Sequence, residues 1–462
     1  MIANGTPTTP NSQPTGRRMR RPFLTALGAF LLISGCDLSN SVAQRPHGPS
    51  RVLMGPIVTS AWLPAGIDEF RFSAADQRTL AEFGLTHIQW LQRAEQDGRS
   101  AEALAMAFAS QQGMGLPVYY EAPGYSPYDK LRNWATKSSL TDSFDVAVRA
   151  RATALTARWG MESGFAGYLI GHEDYRANTY EALGRTVTAL RAADPTRPAF
   201  SVGAIGSYPK TSRFLDAFFA EGGEPNVFQH EHYVFEADVE AGSSQALRRL
   251  DHLVAGYDRV ARHLRDRHGR WHAIVQAHAE SRDNEPFYRQ PIPAELSVQV
   301  GLALSRGAAG VVYFLYSSGT EQVLDGNGEI VQIRQYMGLV DNAGQPTNAW
   351  SASREINARL ASLSRFLEDR AFLGGYEARR APADEPLASH EEDLDLAFFG
   401  DASGTSHVLV VNRRTDAART VVLEAVAGSG LTNVESGQVL ESEGTAVTLP
   451  MKAGDFQLLA VR

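Results

Sequence analysis

The sequence predicts an α/β protein: a (β/α)8 barrel followed by a small C-terminal antiparallel β-sandwich. Three observations carry that expectation. Short apolar runs alternate with longer helical patterns eight times over roughly 300 residues, the rhythm of a closed barrel. Near residue 370 the texture changes to closely spaced short strands separated by Gly, Ser and Asp turns. The chain has 462 residues, 43% hydrophobic and 21% charged, which is ample for a large buried core. A doubly wound open sheet shares the rhythm. However, no Gly-x-Gly-x-x-Gly follows the first strand and no Gly-x-x-x-x-Gly-Lys-Ser/Thr occurs, so nucleotide phosphate binding has no support.

Residues 1–36 read as an address. A polar start is followed by Arg17-Arg18-Met19-Arg20-Arg21 and the apolar run Phe23–Ile33, too short to span a bilayer. The run ends Ile33-Ser34-Gly35-Cys36, which resembles the lipobox of bacterial lipoproteins, with Cys36 as the lipidated residue. Arg20-Arg21-Pro22-Phe23-Leu24 also resembles a twin-arginine export signal, and Met19 offers an alternative start. Asp37 after the cysteine implies retention at the inner membrane, on its periplasmic face in the cell envelope. Residues 37–50 read as a flexible tether. Cys36 is the one cysteine, so intramolecular disulfides, Cys-rich metal sites and a cysteine nucleophile in the body are excluded.

The barrel is expected over residues 51–370. Its strands are predicted at 52–58, 84–90, 116–120, 167–171, 198–202, 227–230, 273–277 and 310–315. Helical patterns intervene at 76–83, 101–112, 146–159 and 246–265, and a closing helix is predicted at 348–367. Strands near 394–399, 407–412, 420–424 and 455–461 make up the C-terminal domain, residues 371–462.

A barrel of this kind does its chemistry at the C-terminal strand ends. The fourth strand ends Gly171-His172-Glu173-Asp174. Alternation puts Glu173 on the face of Gly171, Leu169 and Gly167, whose small residues suit the crowded interior, so Glu173 is the candidate general acid/base. The seventh strand puts His272, Ile274, Gln276, His278 and Glu280 on one face, and a run of polar groups there fits a polar site better than packing. Glu280 is the candidate second carboxylate, with Ser281-Arg282-Asp283-Asn284 read as loop beyond it. Glu121, past the third strand, is a reserve acid. On the sixth strand His230 and His232 share one face, and Glu231 and Tyr233 the other. Metal ligation would need His230, His232 or His278 to converge with an acid. No His-x-His stands on the first strand, so neither a metal nor a cofactor is expected. Substrate contacts are expected from His172, His232, Tyr233, Gln276 and His278, and from the strand-end aromatics Trp62, Trp90, Tyr120 and Tyr316, whose rings suit the apolar face of a sugar. Lys+Arg is 44 against 52 Asp+Glu, a net charge of -8, with no basic block in the body, which disfavours nucleic acid as a partner.

Gly167-Tyr168-Leu169-Ile170-Gly171-His172-Glu173-Asp174, Asp194-Pro195-Thr196-Arg197-Pro198, Gly307–Phe314 and Gly338–Thr347 together resemble bacterial TIM-barrel glycoside hydrolases over about residues 51–370. The broader relatives are the retaining clan that includes β-galactosidases and endoglucanases. The resemblance implies an acid/base Glu ending the fourth strand, here Glu173, and a nucleophilic Glu ending the seventh. The chain departs from it twice: His172 stands where the clan usually has Asn, and Gln276 precedes Glu280 at the seventh strand end. The expected function is hydrolysis of O-glycosidic bonds in an oligo- or polysaccharide by a lipid-anchored enzyme. The competing expectation, if Gln276 takes the nucleophile's place, is a non-catalytic carbohydrate-binding lipoprotein.

Overall fold

The computed structural model describes residues 53–63, 74–91, 118–121, 142–159, 161, 165–172, 177–203, 215, 227–265, 267, 269–324 and 328–462. The leader and tether, with Cys36, lie outside the described residues, as does the helical pattern at 101–112.

In chain order the first seven strands are β1 (Val58–Leu63), β2 (His87–Leu91), β3 (Val118–Glu121), β4 (Phe165–His172), β5 (Ala199–Gly203), β6 (Val227–Glu231) and β7 (Arg270–Gln276). A hairpin of β8 (Ala279–Arg282) and β9 (Glu285–Tyr288) precedes β10 (Gly310–Phe314). β1 to β7 and β10 pair in parallel and close on themselves, with β10 seated between β7 and β1. The first strand lies later than expected. Pro56 has no amide hydrogen for a ladder and Gly55 is left-handed at φ +63°, so the apolar run before Val58 does not continue the barrel wall. It lines the barrel bottom instead: Met54 and Ile57 are buried, Leu53 bridges to Ala371, and the Met54 amide donates to the Arg370 carbonyl at 2.8 Å.

Strand alternation divides the interior into two layers. The bore is filled by Trp62, Phe200, Val202, Val227, Ile274, Val312 and Leu315. The opposite faces, with Ala61, Tyr168, Phe228, Ala273, Val275, Val311 and Tyr313, pack beneath helices. Those helices are α1 (Ala74–Glu82), α2 (Asp142–Trp159), α3 (Ala177–Ala193), α4 (Ser244–Arg265), α5 (Pro293–Leu304) and α6 (Asn348–Leu367). α4 has an apolar stripe at helical spacing, Leu250, Leu253, Val254, Tyr257, Val260 and Leu264, and all of it is buried. α5 is apolar on nearly every side because it is covered twice. A Cβ at its Gly301 would come within 2.9 Å of Phe456 in the C-terminal region.

Two strands cap the barrel mouth, β11 (Gly319–Leu324) and β12 (Ile330–Met337). With the hairpin they form an antiparallel sheet in the order β11-β12-β8-β9. The stretch 281–284 is therefore not loop alone: Ser281 and Arg282 belong to β8, and only Asp283 and Asn284 turn. Both are left-handed, at φ 49° and 69°, the pair of conformations a two-residue hairpin requires.

The C-terminal region consists of β13 (Ala371–Glu377), β14 (Leu387–Ala388), β15 (Leu394–Asp401), β16 (Gly404–Asn412), β17 (Arg419–Ala425), β18 (Leu431–Asn433), β19 (Val439–Leu440), β20 (Ser442–Glu443), β21 (Ala446–Met451) and β22 (Phe456–Val461). They form two antiparallel sheets, β13-β15-β16-β22-β18-β19 and β14-β17-β21-β20. Leu396, Phe398, Val408 and Val410 from the first sheet and Val421, Leu423, Val447 and Leu449 from the second share one buried cluster. Barrel and sheets belong to one compact unit, Pro46–Arg462. At their junction the buried Asp395 pairs with Arg306 at 2.6 Å and with Arg413, and Arg413 also reaches Asp251 at 2.8 Å.

Candidate active site

The C-terminal end of the barrel is built from β6, β7, β10 and the capping sheet. On β6, Val227 lies in the bore, so alternation places Gln229 and Glu231 on the same face, and Tyr233 beyond the strand end packs against that layer too. Glu231 is in register with Ile274, itself a bore residue. The other face, with Phe228, His230 and His232, turns to α4. His230 lies edge-on to Tyr257 with ring centroids 5.8 Å apart. The Nε2 of His230 and the Nδ1 of His232 come within 3.2 and 3.1 Å of the place a Cβ would take at Gly256. His232, expected to contact substrate, is thus on the helix side of the wall, because the strand carries only every second side chain to the bore. Burial lowers His232 to about 4 and His230 to about 3, so both are neutral near pH 7. No group of three or more His, Cys, Asp or Glu among the described residues is placed to hold a metal.

Tyr233 does reach the mouth. Its ring stacks on Phe314 at 5.5 Å and meets His278 edge-on at 5.0 Å and Tyr288 at 5.8 Å. Tyr336 closes the group, 6.1 Å from Phe314 and 5.9 Å from His278. Tyr233, Tyr288, Phe314 and Tyr336 are all half-buried. Beneath them Trp62 is 2% exposed and edge-on to Phe314 at 6.1 Å, so it forms the floor. Tyr316, expected at the mouth, packs instead against Phe83 under the helices, 5.8 Å between rings. For Trp90, Tyr120 and His172 the backbone alone is described. They stand near the C-terminal ends of β2, β3 and β4, with Trp90 in register with Tyr120 and His172 with Val202.

Gln276 ends β7 and is fully buried. Its Oε1 accepts from the amides of Val234, at 3.1 Å, and Phe235, at 2.9 Å. Its Nε2 donates to the carbonyls of Phe235 and Arg289, both at 3.0 Å. Two donors and two acceptors complete the capacity of a primary amide. Gln276 is a brace for the segment that carries Tyr233, and it has no hydrogen bond left for a sugar.

His278 is buried, and its Nδ1 lies 2.9 Å from the Phe314 carbonyl. A carbonyl only accepts, so Nδ1 carries the hydrogen and Nε2 is left as an acceptor. Burial lowers its pKa to about 4, against the opposing hydrogen bond to Phe314. Its Nε2 is 4.0 Å from Glu280 Oε2.

Glu280 is 6% exposed and lies on β8, in register with Tyr288 and Tyr336. Arg282 Nε donates to its Oε1 at 2.6 Å, and Arg334 Nε stands 4.0 Å away. Tyr336 OH donates to Glu321 on β11 at 3.0 Å. Tyr288 is pushed up to about 12, first by burial and then by the charge of Glu280, with Glu236 and Glu231 adding to it. Glu280 is the cross-strand neighbour of this phenol, and Glu231 stands at the end of β6 level with the bore residue Ile274. Glu231 is not among the acids expected from the sequence, although its alternation with Tyr233, opposite the two histidines, places it on this face.

Glu173 lies outside the described residues. Its assignment to the bore extends an unbroken alternation from Leu169, whereas the β4–β5 register shifts between Leu169 and Gly171.

Neither a protein-family model nor a curated protein matches this chain. Solved structures do. A catalytic mutant of Gan42B, a GH42 β-galactosidase from G. stearothermophilus, aligns with a TM-score of 0.55 and 7% identity, covering 90% of this chain and 100% of its own. The α-amylase from Geobacillus thermoleovorans, complexed with acarbose, aligns at 0.51 with 9% identity, covering 88% and 98%. A β-galactosidase from the psychrophilic Marinomonas ef1 aligns at 0.47 with 11% identity; the match covers 67% of this chain and only 60% of that enzyme's length. The fold is thus one shared with TIM-barrel glycoside hydrolases.

Proposed function

We propose that this protein is a glycoside hydrolase that cleaves O-glycosidic bonds of an oligo- or polysaccharide at the barrel mouth. The observation that carries the reading is the mouth itself: a cluster of the half-buried Tyr233, Tyr288, Phe314 and Tyr336, with the carboxylate Glu280 level with two of them, at the strand ends where barrels of this fold do their chemistry. The aromatic faces suit the apolar face of a sugar ring. The β-galactosidases and the acarbose-bound α-amylase that share the fold support a carbohydrate substrate.

In this reading one carboxyl protonates the leaving oxygen as the C–O bond breaks with its electron pair. The second carboxylate attacks the anomeric carbon or deprotonates a water that does so. Glu173 is the acid/base. Glu280 is the second carboxylate, with Arg282 Nε donating to its Oε1 at 2.6 Å. The experiment is turnover of a panel of activated aryl glycosides by the wild-type protein and by Glu173→Gln and Glu280→Gln. Loss in both variants with folding intact supports the pair; unchanged turnover removes the residue concerned from its role.

A second reading has its own observation. The strand end where the retaining clan carries its nucleophile is occupied by Gln276, a brace, and Glu280 is already ion-paired. A protein that holds sugar without cleaving it would look the same there. It predicts saturable binding of an oligosaccharide by calorimetry with no product formed.

The leader supports placement in the bacterial cell envelope, with a lipid on Cys36 tying the protein to a membrane and Asp37 favouring the inner one. Cys36→Ala is expected to abolish partition into the detergent phase. Persistence there would argue against lipidation.

A further inference from the structure

Lower in the barrel, the bore contains a set of neutral polar side chains that the proposed chemistry does not use. Ser60 on β1, Gln89 on β2, Gln229 on β6 and His272 on β7 are each 2% exposed or less. Ser60 shares the face of Trp62, Gln229 that of Val227, and His272 that of Ile274, all bore residues; Gln89 is in register with Trp62. Among the described residues, six polar atoms of these four side chains lack a hydrogen-bond partner: Ser60 Oγ, both amide atoms of Gln89, both of Gln229, and His272 Nδ1. An unpaired buried polar atom is destabilising, and six of them together would offset much of the small net stability of a folded chain.

The ring geometry places the two amides opposite each other. β2 and β6 are four strands apart in a closed ring of eight. In one direction the ladder leads from Gln89 through Trp62 and β10 to the level of Gln276, above Gln229. In the other it leads through Tyr119 and Gly167 to a level below Val227. The tilt of the strands averages the two, so Gln89 and Gln229 stand at one height on facing walls. They are not within hydrogen-bonding distance of each other. None of the four groups is an acid, an amine or a guanidinium, and burial holds His272 near 3, so it is neutral. The atoms offer donors and acceptors together, which suits a guest that is small, uncharged and able to do both.

We propose that this layer binds a cluster of water molecules bridging Gln89 to Gln229 across the bore, with Ser60 and His272 completing their hydrogen bonds. Buried waters of this type make about three hydrogen bonds each and act as part of the fold. Thermal unfolding of the full chain in detergent tests the proposal through the sign of one shift. If water links the amides, Gln229→Leu strands both the water and Gln89, and Tm falls by roughly 2–6 °C. The double variant Gln89→Leu/Gln229→Leu then loses less than the sum of the two single changes. If Gln229 has no partner, Gln229→Leu deletes a costly orphan and Tm rises. An unchanged or raised Tm, or strict additivity, overturns the proposal. A high-resolution crystal structure of the wild-type protein decides independently of any variant's folding. Ordered waters bonded to both amides uphold the proposal; amides paired directly with other protein groups, or a dry gap between them, overturn it.

Discussion

At the residue scale the structure redistributes roles that composition alone could not separate. His230, Glu231, His232 and Tyr233 are consecutive, yet the first and third face α4 while the second and fourth belong to the bore side. A strand offers every second side chain to its bore, so two histidines that look like ligands become packing groups and the acid between them becomes a candidate for chemistry. With Glu173 and Glu280 in the two acid roles of the proposed hydrolysis, Glu231 is a neighbouring charge on the bore face, and Glu231→Gln is expected to lower kcat on an aryl glycoside by less than the ~100-fold that loss of a positioned proton-transfer group brings. A loss of ~100-fold or more would give Glu231 one of those two roles instead.

At the element scale the barrel strands were legible because each is a short apolar run set between helical patterns, and bore and helix faces follow from alternation. Two features were hidden for physical reasons. The first strand starts at Val58 rather than Val52, since Gly55 and Pro56 redirect an otherwise strand-like run into the barrel bottom. The capping sheet was invisible because β8 reads Ala-Glu-Ser-Arg, with no apolar alternation, and its strand character comes from pairing with β12 and β9 far along or across a turn. Of the expected mouth residues, Tyr233, His278 and Glu280 come together; His232 turns away because its face belongs to the helix layer, and Tyr316 because it lies past the end of β10 at Phe314, where strand alternation no longer sets its side. Gln276 shows how an element can be held by one side chain. Replacing it with Leu leaves the amides of Val234 and Phe235 and the carbonyl of Arg289 without their partner, while the Phe235 carbonyl keeps the Arg289 amide, at a cost of at least about 2 kcal/mol. Hydrogen exchange at Val234 and Phe235 should accelerate in Gln276→Leu while amides of the C-terminal sheets remain unchanged. Equal protection at those two amides in variant and wild type would show that the loop does not depend on the brace.

At the scale of the whole molecule, barrel and C-terminal sheets are joined by a buried charge cluster as well as by the apolar contacts of α5. Asp395 on β15 is fully buried and receives Arg306, from the segment between α5 and β10, together with Arg413 from just past β16; Arg306 and Arg413 extend to Asp258 and Asp251 on α4. Burial by itself would raise the Asp395 carboxyl, but the two guanidinium groups outweigh it and hold the carboxyl below the usual carboxylate range. A carboxyl depressed in the folded state stabilises the protein above its unfolded pKa of about 3.9, and that contribution disappears as pH falls through the folded value. Asp395→Asn leaves two buried guanidinium groups without their shared partner, and removing one member of such a cluster costs about 3–5 kcal/mol. The expected result is a large fall in Tm at pH 7 for the variant, and a gap between variant and wild type that narrows below about pH 4, where the unfolded chain's carboxyl takes up its proton while the native one is still charged. Thermal unfolding of both proteins across pH 3 to 8 measures it. A gap that stays constant over that range would mean that the aspartate joins the two regions through its shape and hydrogen bonds, with its charge making no net contribution.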